Sequence, residues 1–253
     1  MRHTRVLALV CTLIGLAACG GQPFPQSTGG AGNSSRAVLL AAISHTNAAK
    51  SARLAMHMEI SGIPVVGDET VDMAGVMDMT AQSAAFTMTV SGGGQSQTVE
   101  ARVLGGVAYV NVGGTWQSRP LNLGSNASVS PTDYLAYLEG VANDVHVVGP
   151  EVVRGAPTTH YAGTIDLGRA LSSAQLPAAQ RVNIRQVLDV LGDLQLPFDV
   201  WLDRAGLLRK LMMTMDLSNA VQRAGGPSNL DPMVTVTVEM YDFGIPVHVQ
   251  APG

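Results

Sequence analysis

Residues 99–112 read Val-Glu-Ala-Arg-Val-Leu-Gly-Gly-Val-Ala-Tyr-Val-Asn-Val. The central pair, Gly105 and Gly106, suits a two-residue primed turn, because glycine accepts the positive φ that such a turn requires. Pairing across the turn places the following residues opposite each other: Leu104 and Val107, Val103 and Ala108, Ala101 and Val110. One face is then wholly apolar, with Val99, Ala101, Val103, Ala108, Val110 and Val112. Since the other face carries Glu100, Arg102, Tyr109 and Asn111, the segment predicts an antiparallel hairpin with one face toward a core.

The same two-residue alternation recurs along much of the chain. Apolar side chains share one face in five further segments: Leu54, Met56, Met58 and Ile60; Val71, Met73, Met77 and Met79; Ala84, Phe86, Met88 and Val90; Leu207, Leu211, Met213 and Met215; and Val234, Val236, Val238 and Met240. Strands of a parallel sheet, covered on both faces, do not alternate so cleanly. The strands are therefore predicted to be mostly antiparallel.

A two-residue turn at Gly113-Gly114 would place Trp116 on the outer face, and a bulge or longer loop is the alternative.

Three helices are predicted between the strands. The first starts at Ser34 or Ser35, which can cap it, and runs to about Lys50, with one face formed largely by Val38, Leu39, Ala42, Ile43 and Ala49. The second follows a capping box with proline at its first position, Ser130-Pro131-Thr132-Asp133. The third covers about 177–191, with Ile184, Val187, Leu188 and Leu191 on one stripe and Gly192 as its stop. With strands at about 145–154 and 157–166, the total is ten or eleven strands, which indicates an α+β domain.

The N-terminus has the composition of a secretory signal peptide. Arg2 and Arg5 form a basic head, and Val6 to Leu16 is an apolar run about half as long as the ~20 residues of a membrane-spanning helix. Leu16-Ala17-Ala18-Cys19 resembles a bacterial lipobox. That resemblance implies cleavage between Ala18 and Cys19 and acylation of the Cys19 thiol. The alternative is an ordinary secreted protein with a chance cysteine.

Residues 1–18 are thus assigned to the signal peptide and residues 19–34, rich in Gly, Pro and Ser, to a flexible tether. Residues 35–253 are predicted to form a single domain.

Cys11 is discarded with the signal peptide, so no free thiol remains for a nucleophile or a metal ligand. Removing Arg2 and Arg5 takes the formal charge from −4 to −6. Because no basic cluster remains to contact phosphates, nucleic acid is not an expected partner.

Three segments resemble LolA-like lipoproteins of actinobacteria, in the superfamily of LppX and LprG. They are Gly155–Tyr161 with Thr164–Leu167, Pro197–Asp203 with Gly206–Arg209, and Tyr241–Val249. The resemblance implies a strongly curved antiparallel half-barrel with helices on its concave face. In the LppX and LprG branch, the space between sheet and helices holds acyl chains of envelope lipids.

Residues typical of catalysis or metal binding are scattered. The five histidines of the mature chain, His45, His57, His146, His160 and His248, have no partner at metal-ligand spacing, and no nucleophile motif is present. His160 is interpreted as a hydrogen-bonded structural histidine. Gly92-Gly93-Gly94 is interpreted as a hairpin tip, and Asp199 and Asp203 as solvated surface charges. No enzymatic activity, metal or cofactor is expected, although residues distant in sequence can still meet in the fold.

Methionine is unusually frequent, with 12 Met against 4 Phe and 2 Trp. Methionine is flexible and polarisable, and it suits a surface that accommodates variable apolar ligands. The alternative is a core that uses methionine to fill gaps. Together with the family resemblance, the pattern predicts a lipid cavity lined by Leu54, Met56, Met58, Met77, Met79, Phe86, Met88, Ile184, Leu188, Met213, Met215, Val238 and Met240.

The sequence therefore favours a monomeric, non-enzymatic protein, anchored through the Cys19 acyl chains on the extracytoplasmic face of the cell membrane. Its expected activity is to bind or carry a lipid or lipoconjugate between sheet and helices. The alternative is an envelope interaction or scaffolding lipoprotein with a fully packed core. A cavity with an apolar mouth distinguishes the first from the second.

Overall fold

The computed structural model describes residues 31–62, 67–120, 144–172, 181, 182, 185, 188, 189, 192, 195–223 and 225–252. Several predicted features lie outside these residues. They are the signal peptide, Cys19, the tether up to residue 30, the helix after Ser130, and Ile184, Val187 and Leu191 of the third helix.

The described helices and strands do not alternate one by one along the chain, as expected for an α+β domain. In chain order they are α1 (Ala31–Ala48), β1 (Ser51–Ser61), β2 (Glu69–Asp78), β3 (Ser83–Gly92), β4 (Gln95–Leu104), β5 (Val107–Val112), β6 (Thr115–Pro120), β7 (His146–Val153), β8 (Ala156–Asp166), α2 (Leu167–Ser172), β9 (Gln195–Asp203), β10 (Leu208–Asp216), α3 (Ser218–Arg223) and β11 (Met233–Tyr241). Residues 181, 182, 185, 188 and 189 are also helical. This helix stops where predicted: Gly192, at φ +83°, donates its N–H to the Leu188 carbonyl at 2.8 Å.

All eleven described strands belong to one antiparallel sheet, in the order β6-β5-β4-β3-β2-β1-β11-β10-β9-β8-β7. The sheet is curved and unclosed, with β6 and β7 at its edges. Pairing of β1 with β11 brings the two ends of the domain together at the centre of the sheet. The predicted strand number and antiparallel arrangement are confirmed for the described residues.

The Gly105-Gly106 hairpin has the predicted register. Leu104 pairs with Val107, Val103 with Ala108, and Ala101 with Val110, and both glycines have positive φ, 59° and 74°. Gly113-Gly114 forms a second two-residue turn, so Trp116 lies opposite Asn111 on the outer face and neither a bulge nor a longer loop is needed. The side chain of Arg102 on the same face stacks over Trp116, 4.7 Å from the ring centroid.

One strand departs from the predicted pattern. A shift in register between Leu208 and Lys210 brings Leu208 into the core, fully buried, whereas Leu207 lies outside β10 and is only partly buried. The prediction that Leu207 belongs to the apolar face was therefore wrong. A β-bulge adds a residue to one strand, which a strict two-residue period does not anticipate.

Helix α1 packs on the sheet through part of the predicted face. Leu39 and Ala42 are fully buried, whereas Val38, predicted for the same face, is 42% exposed. The buried Thr46 hydroxyl accepts the Leu208 N–H at 2.9 Å, which fixes the end of the helix to β10. The helix begins at Ala31, so the last four residues of the predicted tether are helical.

Candidate functional site

The predicted cavity residues that the structure describes lie in one apolar cluster at the inward face of the sheet, with Leu188 contributed by a helix. Six of them are buried: Leu54, Met58, Met77, Met213, Val238 and Met240. Six others are partly buried and pack against the same apolar cluster: Met56, Met79, Phe86, Met88, Leu188 and Met215. Ile184 lies outside the described residues. The structure therefore brings twelve predicted residues, far apart in sequence, onto one continuous apolar surface.

Cross-strand pairing arranges the methionines in rows. Met56 on β1 pairs with Met73 on β2, which pairs with Met88 on β3. On the other side, Met58 pairs with Val236 of β11, and Val236 pairs with Met213 of β10. Because unbranched thioether side chains rearrange easily, the first row forms a deformable strip across three neighbouring strands. Met73 completes this strip, although the sequence did not place it among the cavity residues.

Two glycine–phenylalanine pairs lie on the same face. Gly163 of β8 pairs with Phe198 of β9, and a Cβ on Gly163 would lie 2.7 Å from the Phe198 ring. Gly75 of β2 pairs with Phe86 of β3, and a Cβ there would lie 2.1 Å from the Ala85 carbonyl oxygen. Each glycine is therefore required so that the neighbouring strand or ring can approach closely. Neither pair was predicted from the sequence, since the partners lie 11 and 35 positions apart.

Burial of the inward face decreases toward β6. On β1 and β9–β11, which we call the packed strands, most inward side chains are buried, among them Leu54, Phe198, Val200, Leu211, Val234, Val238 and Met240. On β3–β5, which we call the half-buried strands, most are only partly covered, including Phe86, Met88, Val90, Ala101, Val110 and Val112. The half-buried strands, together with the partly buried Met56 of β1 and Met73 of β2, are therefore the part of this face that an apolar ligand could contact.

The outer face carries a polar cluster centred on His160. Its Nδ1 lies 2.9 Å from Oε1 of Glu151 on β7, and its Nε2 lies 2.7 Å from Oδ1 of Asp199 on β9. The imidazole stacks on Trp201, with 4.2 Å between ring centroids, and the Trp201 indole N–H donates to Oε2 of Glu151 at 2.7 Å. His160 is therefore a hydrogen-bonded structural residue within β8, as predicted.

Asp199 and Asp203 are not solvated surface charges, and that interpretation was wrong. Asp199 holds His160, as described above. Asp203 accepts the backbone N–H groups of Ala205 and Leu207, at 2.9 and 3.0 Å, and pairs with the Arg209 guanidinium. Its side chain is only 10% exposed. Asp199 therefore connects β9 to β8, whereas Asp203 stabilises the turn that follows β9 by accepting hydrogen bonds from residues within that turn and from Arg209.

Cations stack on aromatic rings around this cluster. Lys210 lies over Trp201, Arg154 over Tyr241 and Arg209 over Phe243, at 4.4, 4.2 and 4.9 Å from the ring centroids. Arg154 also donates to Glu239 at 2.5 Å. The three segments that resemble LolA-like lipoproteins thus meet here, on the outer face.

The pKa of Glu151 lies below its usual 4.5. The hydrogen bond from Trp201 contributes most to this shift, followed by the hydrogen bond and the positive charge of His160, and partial burial opposes it. Glu151 is therefore ionised at neutral pH, where it accepts from the Trp201 indole and faces the His160 ring.

The other histidines lie apart from this cluster. His57 on β1 pairs with Asp72 on β2 at 2.7 Å, and His146 lies 2.9 Å from the Asp144 carbonyl. Within the described residues, no three His, Cys, Asp or Glu side chains are arranged to hold a metal ion. In the same part of the chain, no helix combines the length and the apolar character needed to cross a bilayer.

Comparison with known proteins gives similarity mainly at the level of structure. No family model matches the sequence. A 70-residue segment is 39% identical to an uncharacterized 31.2 kDa protein in the rplA-rplJ intergenic region of Streptomyces griseus. The match covers 27% of this chain and 23% of that relative, so the chain spans less than a quarter of its length.

Two mycobacterial crystal structures are similar over most of the domain. LprF from Mycobacterium bovis superposes with a TM-score of 0.51 at 15% identity, covering 87% of this chain and 97% of LprF. The lipoprotein LppX from Mycobacterium tuberculosis gives a TM-score of 0.46 at 20% identity, covering 85% of this chain and 99% of LppX. The described chain therefore has the fold of LprF, which confirms at the level of the fold the LolA-like, LppX/LprG-related resemblance of its sequence.

Proposed function

We propose that this chain is a non-enzymatic lipoprotein that binds a lipid or lipoconjugate through its acyl chains, on the inward face of the sheet. One observation carries the proposal. The strip of Met56, Met73 and Met88, with Phe86 beside it, remains only partly buried although every member faces inward. When an acyl chain covers such partly exposed apolar side chains, the free energy of the system falls by about 0.8 kcal/mol per buried methylene.

The chemistry of the strip fits a variable hydrocarbon better than a ligand of fixed shape. Methionine adapts its rotamers to different occupants, and an apolar face provides no directional hydrogen bonds that would select a headgroup. The polar residues described above lie on the outer face, where they pair with one another. Binding would therefore be driven by removal of hydrocarbon from water, with no covalent step.

A packed interaction module is the second candidate, and the packed strands favour it. There, residues such as Val200, Val234 and Phe198 are almost completely buried, so they have no surface to offer a ligand. If the half-buried strands are covered by protein alone, the chain would instead act through its exterior, as a scaffold on the membrane.

Lipid content separates the two candidates. Mature protein purified from its own host is examined by native mass spectrometry, and the same sample is titrated with a dansyl-labelled fatty acid. The proposal expects a co-purified lipid mass and saturable probe binding. Absence of both would favour the packed interaction module.

Membrane attachment is proposed to depend on Cys19, because it is the single thiol of the mature chain. Two or three acyl chains anchor a protein firmly, whereas one chain binds reversibly. We expect Cys19→Ser to lose the lipid mass and to leave the membrane fraction, or to accumulate as the uncleaved precursor. Wild-type protein that is cleaved elsewhere and carries an unmodified Cys19 would contradict this assignment.

A further inference from the structure

Strand β7 forms one edge of the sheet and has little apolar packing to hold it there. Val147, Val148 and Val152 are 54%, 53% and 69% exposed, and Val153 is its one buried residue. The backbone ladder to β8 holds the strand, together with polar contacts around Glu151. These include the Thr158 hydroxyl, which donates to the Glu151 carbonyl at 2.9 Å. Besides the buried Val153, the side chain of Glu151 is therefore the main contact that ties β7 to the neighbouring strands.

The contacts of that side chain cross three strands. Glu151 on β7 contacts His160 on β8 and Trp201 on β9, while the opposite nitrogen of His160 contacts Asp199 on β9. We propose that Glu151, His160 and Asp199 form a protonation-sensitive clamp that holds the edge strand β7 on the sheet.

The physical basis is the number of N–H groups on the ring. A protonated imidazole donates from both nitrogens, so it satisfies both carboxylates at once. A neutral imidazole keeps one N–H, and its other nitrogen then faces a carboxylate oxygen with no hydrogen between them. The clamp is therefore complete only when His160 is protonated and Glu151 is ionised. Loss of either charge weakens it.

The other charges that face the clamp support this assignment. Lys210 of β10 lies over Trp201 and favours the ionised form of Glu151. Arg154 and Glu239 lie nearby and pair with each other. Glu151 and Asp199 therefore share one imidazolium, with Lys210 as a further positive charge that acts on Glu151, and loss of the imidazolium charge leaves the two carboxylates on either side of a neutral ring. The clamp is independent of the proposed lipid binding.

Hydrogen exchange of the full mature chain tests the clamp. Protection of the β7 amides, corrected for the intrinsic pH dependence of exchange, is measured by mass spectrometry between about pH 5 and about pH 8, the range in which histidine changes charge. We expect the protection to fall about tenfold as the pH rises across this range, because a charge-assisted hydrogen bond is lost. The amides of the central strand β11 provide the internal reference and should change far less.

Variants sharpen the test. His160→Gln should lower β7 protection at the acidic end and abolish its pH dependence, because the amide side chain does not titrate. The matched control is Asp72→Asn, which breaks the exposed His57–Asp72 pair between the interior strands β1 and β2 and should leave β7 unchanged. Protection of wild-type β7 that is constant with pH overturns the proposal, whether or not His160→Gln folds. Equal loss of β7 protection in both variants also overturns it.

Discussion

The packed strands β1 and β9–β11 and the half-buried strands β3–β5 share the same alternating sequence pattern, yet their inward side chains are buried to different degrees. Phe198 and Phe86 illustrate the difference. Each lies opposite a glycine, in an antiparallel pair, on the same face of one sheet. Phe198 is almost completely buried, whereas Phe86 is only partly covered. An inward orientation therefore does not by itself make a side chain part of a dense core.

The difference separates two contributions within one sheet. The packed strands supply folding free energy, because burial there is nearly complete. The half-buried strands retain apolar surface, and under our proposal a ligand covers that surface together with the adjoining Met56 and Met73. Substitutions at equivalent positions in the two regions should then have unequal effects, and four comparisons test this in order of expected size.

The largest effect is expected for truncation of the two phenylalanines. Phe198→Ala should lower the free energy of unfolding by about 3–5 kcal/mol, because it removes a buried ring and leaves a cavity beside Gly163. Phe86→Ala should cost roughly 1–2 kcal/mol, since less of its surface is removed from water on folding. Urea unfolding of both variants measures the difference. Equal losses would show that the two regions are equally packed.

Added bulk gives the next comparison. Met213→Trp, on the packed strands, should cost about 1–3 kcal/mol through overpacking. Met88→Trp should cost less but should weaken binding of the dansyl-labelled fatty acid, because the indole fills the surface that the acyl chain would cover. Paired urea midpoints and probe titrations check both variants, and Met58→Trp serves as a second packed-strand case. If Met88→Trp is as destabilising as Met213→Trp and wild type binds no probe, the lipid proposal fails.

The turn between β4 and β5 tests how register is held where burial is partial. Gly106 has φ +74° and open space around it, so only backbone conformation opposes a side chain there. Gly106→Ala should cost about 1 kcal/mol, the price of a left-handed conformation for an L-residue. Gly106→Asn should cost less, since asparagine tolerates this region. Urea unfolding checks the order, and equal losses for Ala and Asn would point to steric contact instead.

The smallest effect concerns Glu151 on the outer face. Its pKa is lowered in the folded protein, so its contribution to stability is present above pH 4.5 and is lost as the pH falls through the folded value. Urea midpoints measured as the pH is lowered should fall less steeply in Glu151→Gln than in wild type. Some acid sensitivity should remain, because the pKa of Asp216 is also lowered, chiefly by its hydrogen bonds with Ser218. Identical slopes for the two proteins would contradict this role.

Local patterns allowed much of the sheet to be predicted. The Gly105-Gly106 register and the antiparallel strands follow from two-residue alternation and turn chemistry, which act between neighbours in sequence. The bulge before Lys210 could not be predicted in this way, because the Leu208 N–H there bonds to the hydroxyl of Thr46 on helix α1, 162 positions away in the sequence.

The candidate site was predictable only as a set of inward residues. Alternation assigns Met56, Met88 and Met213 to one face, but it does not report how completely each is covered. Coverage depends on which strands are neighbours, and β1 has β11 as a neighbour because the first and last described strands pair with each other. The outer cluster shows the same limit, since Asp199 resembles a surface charge until His160 of β8 is placed beside it.

The sequence by itself determined the alternating strands, the glycine turns and the face on which each methionine lies, because these depend on backbone geometry over a few residues. Tertiary structure alone decided the strand order, the contrast between packed and half-buried strands, and the meeting of Glu151, His160 and Asp199. Those features depend on contacts between residues tens to hundreds of positions apart, and a local pattern carries no information about the partner.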